Sequence, residues 1–189
     1  IVVDMPFGSY EESPEKAFRS ASKIMRKTGA QSVKLEGGEE FAETIYFLNQ
    51  RGIPVMGHIG LMPQRIQTLG GFFTQGKTEK ESIKLMNDAK AISDAGAFSM
   101  VVEAIPEELA TNITKNIKVP TIGIGGGRNC DGQILVIHDI LNLYGDFTPK
   151  FVKKYGKIND SITKAVSKYS QEVKNKKFPT KNNIFSIKK

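Results

Sequence analysis

The stretch SVKLEGGEE, residues 32–40, sets a lysine and a carboxylate two residues apart inside a short apolar run and then stops the run with two glycines. Successive side chains of an extended chain point to opposite faces, so Lys34 and Glu36 share one face while Val33 and Leu35 share the other. One face is suited to packing and the other to chemistry. An unpartnered buried charge costs several kcal/mol, roughly, so the pair must satisfy itself, sit at a solvated strand end, or serve a metal or substrate.

The same kind of run recurs along the chain. IVVD, SVKLE, IPVMGHIG, AFSMVVEAIP, VPTIGIGGG and GQILVIHD are each followed by a polar or glycine-rich connection. Between most of them the apolar spacing predicts helices over residues 14–27, 39–50, 79–94 and 107–116. Ser13 followed by Pro14 reads as a helix start, and Gly29, Gly52 and Gly96 read as helix stops. Alternating strands and helices make a parallel sheet with helices packed against it.

Such a sheet can be open and doubly wound or closed into a barrel. Here the strands carry polar groups at their C-terminal ends: Asp4, Glu36, His58, Glu103 and the GIGGG turn. A (β/α)8 barrel builds its active site at those ends from several different strands, so the pattern favours the barrel. Six strands are counted where eight are needed, and a complete barrel takes ~250 residues. With a first residue already in mid-strand, the chain is expected to hold about six of the eight βα units, the absent ones preceding IVVD. Residues 1–189 are therefore read as one partial barrel domain, with 177–189 a basic C-terminal tail.

Composition narrows the function classes. The 189 residues are 39% hydrophobic and 25% charged, an ordinary globular balance. No apolar run approaches the ~18 residues of a membrane span, and no charged-then-apolar leader precedes the first strand. A single cysteine, Cys130, cannot form an internal disulfide or a cysteine-based zinc site, which fits a reducing, cytoplasmic setting. The net charge of +7 is concentrated in PKFVKKYGK and KNKKFPTKNNIFSIKK. Without an aromatic-interleaved basic helix or zinc spacing, those lysines read as a solvated helix and tail and not as a nucleic-acid site.

Asp4 and Glu36 are hard oxygen donors of the kind that hold Mg²⁺ while water and substrate fill the remaining positions. Either acid alone could equally be a helix cap or an ion-pair partner. Lys34 offers a fixed positive charge for a carboxylate or a developing enolate, or else a structural ion pair. His58 can be a satisfied core histidine. Glu103 ends the apolar stretch SMVVE, a setting that suits a general base or acid, or a buried ion-pair partner. The GIGGG glycines have the wrong spacing for a dinucleotide fingerprint and serve a tight turn or close backbone approach to a ligand.

Taken together, DMPF, VKLEGGEE, VMGHIGLMPQ, GGFFTQGKT, VVEAIP, IGIGGGRNCDGQILVIHD and PKFVKKY resemble, in order and with spacing intact to about Pro179, the ketopantoate hydroxymethyltransferase family. The resemblance implies a (β/α)8 TIM barrel of the phosphoenolpyruvate/pyruvate superfamily type. It also implies a reaction in which Mg²⁺-bound 2-oxoisovalerate loses a C3 proton and the enolate takes a one-carbon unit from 5,10-methylenetetrahydrofolate. By the same resemblance Asp4 is a metal ligand and substrate contact, Glu36 the other metal acid, Lys34 and His58 substrate contacts, and Glu103 the catalytic proton acceptor. The family's remaining metal ligand lies in an Asp-Ser motif on an earlier strand, which has no equivalent in these 189 residues. The implied partners are a small 2-oxo acid, a folate and further copies of the chain, with no nucleic acid and no membrane. The residues also leave two other readings open: a related Mg²⁺-dependent lyase or transferase of 2-oxo acids, and a non-catalytic fragment of such a barrel.

Overall fold

The computed structural model describes residues 1–143 and 148–186. Residues 187–189, the end of the basic tail expected from sequence, lie outside the described part. Two compact units are present, Ile1–Ile134 and Leu135–Lys189.

In the first unit the strands β1 (Val2–Asp4), β2 (Ser32–Lys34), β3 (Val55–Gly60), β4 (Ser99–Glu103), β5 (Thr121–Ile124) and β6 (Gly132–Gln133) form one sheet. Its spatial order is the chain order, β1 to β6, and every pairing is parallel. The helices α1 (Pro14–Thr28), α2 (Ala42–Asn49), short α3 (Ile66–Leu69), α4 (Glu79–Asp94) and α5 (Glu107–Asn116) lie between the strands. A 3₁₀ turn, Glu39–Phe41, leads into α2, which accounts for the longer helix expected over 39–50.

The caps explain why these helices begin and end where they do. The Ser13 side chain accepts from the Lys16 N–H, Pro14 takes a first-turn position, and Gly29 closes α1 in the left-handed region at φ 73°. Thr78 and Glu81 form a reciprocal capping box at the start of α4.

One buried cluster gathers Ala17 and Ala21 of α1, Ile45 and Leu48 of α2, Ala89 and Ile92 of α4, and Ala110 and Ile113 of α5. From the strands it takes Val33, Val55, Met100 and Val102, with Leu35 and Ile59. The register pairs Val33 with Val55 and Met100 with Gly57, so these strand residues belong to one face. Helices on a single face, with no reversal of strand order, exclude the doubly wound alternative, whose helices cover both faces. The unit is a curled parallel wall of six strands, part of an α/β barrel.

The GQILVIHD run departs from expectation. The apolar run predicts a full strand, yet only Gly132 and Gln133 pair with β5, and the chain then forms helix α6 (Ile137–Ile140). A short continuous apolar run has no period, so it fits a buried strand and a helix start equally well.

The second unit holds α6, α7 (Ile158–Lys174) and a closing 3₁₀ turn, Lys181–Asn183. Tyr169 of α7 meets Phe178 edge-on, with ring centroids 5.4 Å apart. Lys164 and Lys168 of α7 are exposed, as expected of a solvated lysine-rich helix. Among the described residues no helix is long and apolar enough to cross a membrane.

Candidate active site

The face of the sheet opposite the helices carries the charged residues singled out from sequence. Asp4 pairs in register with Lys34, Lys34 with Met56, His58 with Val101, and Gly60 with Glu103. Residues paired in register share a face, and so do residues two apart along a strand. Asp4, Lys34, Glu36, His58 and Glu103 therefore all point the same way, from four adjacent strands, near the strand C-terminal ends.

The side chains meet in a row. The Lys34 ammonium lies 3.0 Å from Asp4 Oδ1 and 4.0 Å from Glu36 Oε1. Its Nζ is also 3.1 Å from His58 Nδ1. An ammonium has donors only, so Nδ1 accepts and the ring proton sits on Nε2. That Nε2 faces Glu103 Oε2 at 3.2 Å, yet the two are not aligned for a hydrogen bond, and Nε2 is buried with no other partner. A buried donor without a partner is costly, which makes this position a natural place for a ligand oxygen. Exposure grades along the row: the Asp4 side chain is 61% exposed, Lys34 14% and Glu36 4%. The row thus opens to solvent at Asp4 and is enclosed at Glu36 and His58.

The backbone around Glu103 is held from three sides. Leu61 N–H donates to Glu103 O at 2.9 Å, and the next residue's N–H, that of Ala104, donates to Ile124 O at 2.9 Å. Ala104 O in turn accepts from Gln75 N–H at 2.9 Å. Ala104 sits in the left-handed region at φ 48°, a conformation that costs roughly 1–3 kcal/mol for a residue with a Cβ and gathers at functional sites. Gly60, at φ 94°, must be glycine, since a Cβ there would fall 2.2 Å from Glu103 O.

Two residues not foreseen as site residues complete the arrangement. The Gln64 N–H donates to Glu36 Oε2 at 3.0 Å, and its side-chain Nε2 donates to Met5 O at 2.9 Å. The buried Tyr10 hydroxyl donates to Gln64 Oε1 at 3.0 Å and accepts from Glu36 N–H at 3.2 Å. Burial, with the nearby Glu11 and Glu36 charges, pushes the Tyr10 phenol up to about 12, opposed by its backbone hydrogen bond at Glu36. Gln64 closes the VMGHIGLMPQ motif, so its place after β3 was visible; Tyr10 lies in a loop, where no periodicity flags a buried aromatic.

The GIGGG turn serves packing. A Cβ at Gly126 would lie 2.9 Å from Val102 O, and one at Gly127 would strike Glu107. Glu107 Oε1 accepts from the Arg128 backbone and guanidinium, and these bonds hold its carboxyl below the usual range.

As metal donors, Asp4 and Glu36 are all-oxygen, share a face and lie within 4.0 Å of the same ammonium. That donor set suits Mg²⁺, which takes one or two carboxylates and fills its octahedron with water and substrate oxygens. Among the described residues no group of three or more His, Cys, Asp or Glu side chains gathers as a ready metal cluster. A cation here would compete with Lys34 for Asp4.

A parallel wall of strands that lines up an acid, an amine, an imidazole and a second carboxylate at its C-terminal rim is the layout of a βα-barrel enzyme. The family model for ketopantoate hydroxymethyltransferase matches residues 1–181, and the chain belongs to that family. It is 54% identical over 185 residues to the 3-methyl-2-oxobutanoate hydroxymethyltransferase of Paracoccus denitrificans, covering 98% of this chain and 67% of that protein. It is 52% identical to the enzymes of the same name from Rhodospirillum rubrum and Rhizobium rhizogenes, covering all of this chain and 68% and 69% of theirs. The chain thus spans about two thirds of the length of these relatives.

Proposed function

We propose that this chain carries the 2-oxo acid site of a transferase that moves a hydroxymethyl group from 5,10-methylenetetrahydrofolate to 3-methyl-2-oxobutanoate, giving 2-dehydropantoate. The observation that carries the reading is the row Asp4, Lys34, His58, Glu103 on one sheet face, with Glu36 beside it. A small 2-oxo acid needs positive charge for its carboxylate and keto oxygens and a base for its C3 proton. Lys34 supplies the first and Glu103 the second.

In this reading Asp4 and Glu36 hold Mg²⁺, which when bound withdraws charge from the keto acid and makes its C3 proton easier to remove. Lys34 fixes the substrate oxygens and stands where negative charge grows as the proton leaves. Glu103 takes that proton. His58, oriented by Lys34 through Nδ1, offers its Nε2–H between Glu103 and the substrate. The enolate carbon then forms its bond to the folate's one-carbon unit, which is at the oxidation level of formaldehyde; water supplies the hydroxyl oxygen, the methylene's two bonds to folate nitrogen break, and tetrahydrofolate leaves.

The same proposal takes residues 1–189 as one partial domain, about six of the eight βα units of a barrel of the phosphoenolpyruvate/pyruvate type with 177–189 as a basic C-terminal tail, and takes the enzyme as a cytoplasmic homo-oligomer. Support for the compartment is the single, unpaired Cys130.

The test is calorimetric titration of the full-length enzyme with Mg²⁺ in the presence of 3-methyl-2-oxobutanoate. Asp4→Asn and Glu36→Gln each remove an anionic donor and are expected to weaken metal binding. Unchanged affinity in both variants would overturn the assignment.

A further inference from the structure

The two acids proposed to hold the metal stand on different strands, whose ladder ends with the Met5 N–H on Lys34 O and stops short of Glu36. Asp4 is the last residue of β1; Glu36 lies two residues beyond the end of β2. The Lys34 ammonium lies between the two carboxylates, and a second residue, from beyond the end of β3, reaches both strand ends. Gln64, in the 3₁₀ turn Pro63–Arg65 after β3, donates its backbone N–H to Glu36 Oε2 at 3.0 Å. Its carboxamide nitrogen donates to the carbonyl of Met5, the residue after Asp4, at 2.9 Å. Its carboxamide oxygen accepts from the Tyr10 hydroxyl at 3.0 Å, and that hydroxyl accepts from the Glu36 N–H at 3.2 Å.

We infer that Gln64, braced by Tyr10, is the positioning residue that sets the separation of Asp4 and Glu36 and so presents the two carboxylates as one divalent-cation site. The inference rests on the metal assignment proposed above. The geometry is closed. Two hydrogen bonds fix Gln64 against β1 and β2, and Tyr10 fixes both the carboxamide and the Glu36 backbone. The Tyr10 ring is itself held, edge-on to Phe41 with centroids 5.4 Å apart. Of the two Glu36 oxygens, Oε2 is taken by the Gln64 N–H, which leaves Oε1 turned toward Lys34, on the side where Asp4 stands. Gln64 touches no substrate in this account; it acts through the acids it aligns.

Groups that hold a metal-binding carboxylate in place typically contribute 10–100-fold to metal affinity. The experiment uses the full-length enzyme and two variants. Gln64→Met keeps the volume and the backbone N–H but removes both side-chain bonds, and Tyr10→Phe keeps the buried ring but removes the hydroxyl. Mn²⁺ affinity is read by calorimetry without substrate, alongside the melting temperature and the KM for each substrate. Both variants are expected to lose at least ~10-fold in Mn²⁺ affinity and to raise the KM for the 2-oxo acid, leaving the KM for the folate unchanged. A lower melting temperature with parent-like Mn²⁺ affinity in either variant means a purely structural role and overturns the inference. Absence of Mn²⁺ binding by the parent enzyme would instead remove the metal assignment on which it rests.

Discussion

Tyr10 is buried and bonds through its hydroxyl to Gln64 and the Glu36 backbone, and its titration gives a pH signature. Its phenol is raised from 10.0 to about 12, chiefly by burial. In the unfolded chain the proton leaves near the lower value, in the folded chain near the higher. The stability this group contributes is therefore complete below about pH 10 and is lost as pH rises from there to about 12. Spectrophotometric titration of the tyrosines is expected to show one phenol that ionises late or only with unfolding, and Tyr10→Phe is expected to remove that component. A full set of tyrosines titrating near the ordinary value would contradict the buried setting. Lys34 and Glu36 were legible because a strand has a strict period of two, so their face followed from Val33 and Leu35. Asp4, His58 and Glu103 were legible as polar ends of apolar runs. That they meet was not legible, because contact across strands depends on register, which no local pattern records. Tyr10 and Gln64 escaped for a related reason: their partners are 26 and 28 or more residues away.

Between elements, the contact that seats α4 on the sheet is specific. Gly57 of β3 leaves room for Ile92 of α4, and a Cβ at Gly57 would fall 2.6 Å from Ile92 Cγ2. Ile92 is fully buried, so Ile92→Ala is expected to destabilise the fold by about 2–5 kcal/mol, through lost burial and the cavity left behind. Chemical denaturation of parent and variant measures this; a loss under 1 kcal/mol, roughly, would mean that the α4 contact collapses without cost. The four longer helices between the strands of the first unit were legible in the sequence from their apolar spacing, helped in α1 by Ser13 and Pro14 at its start and Gly29 at its end; the reciprocal Thr78–Glu81 box that starts α4 went unread. GQILVIHD was misread because four consecutive apolar residues, Ile134 to Ile137, carry no period. The parallel step from β5 to β6 also lacks a helix and crosses through residues 125–131, where Thr121 N–H and Asp131 Oδ2 bond at 2.8 Å to close the turn.

At the scale of the whole molecule, sequential strand order leaves β1 and β6 as the two edges of the described sheet, each with one row of unpaired backbone groups. The inner face also leaves Val2 partly exposed, and Ile1 at the β1 edge is 84% exposed. Open edges template pairing with other chains. Expressed as these 189 residues alone, the protein is expected to self-associate, and sedimentation together with hydrogen exchange checks it: a monomer with strong protection across residues 1–4 would contradict the open wall. The proposed chemistry puts removal of a C3 proton from a 2-oxo acid on one face of this wall, with Glu103 as the base. The most direct measurement is proton NMR of 3-methyl-2-oxobutanoate in D₂O with full-length enzyme and metal but no folate. The parent is expected to exchange the C3 proton for deuterium. Glu103→Gln is expected to bind the 2-oxo acid as the parent does yet exchange it about 10²–10⁴-fold more slowly, the usual contribution of a positioned base. Exchange at the parent rate in Glu103→Gln would contradict the account and pass the role of base to another residue of the row.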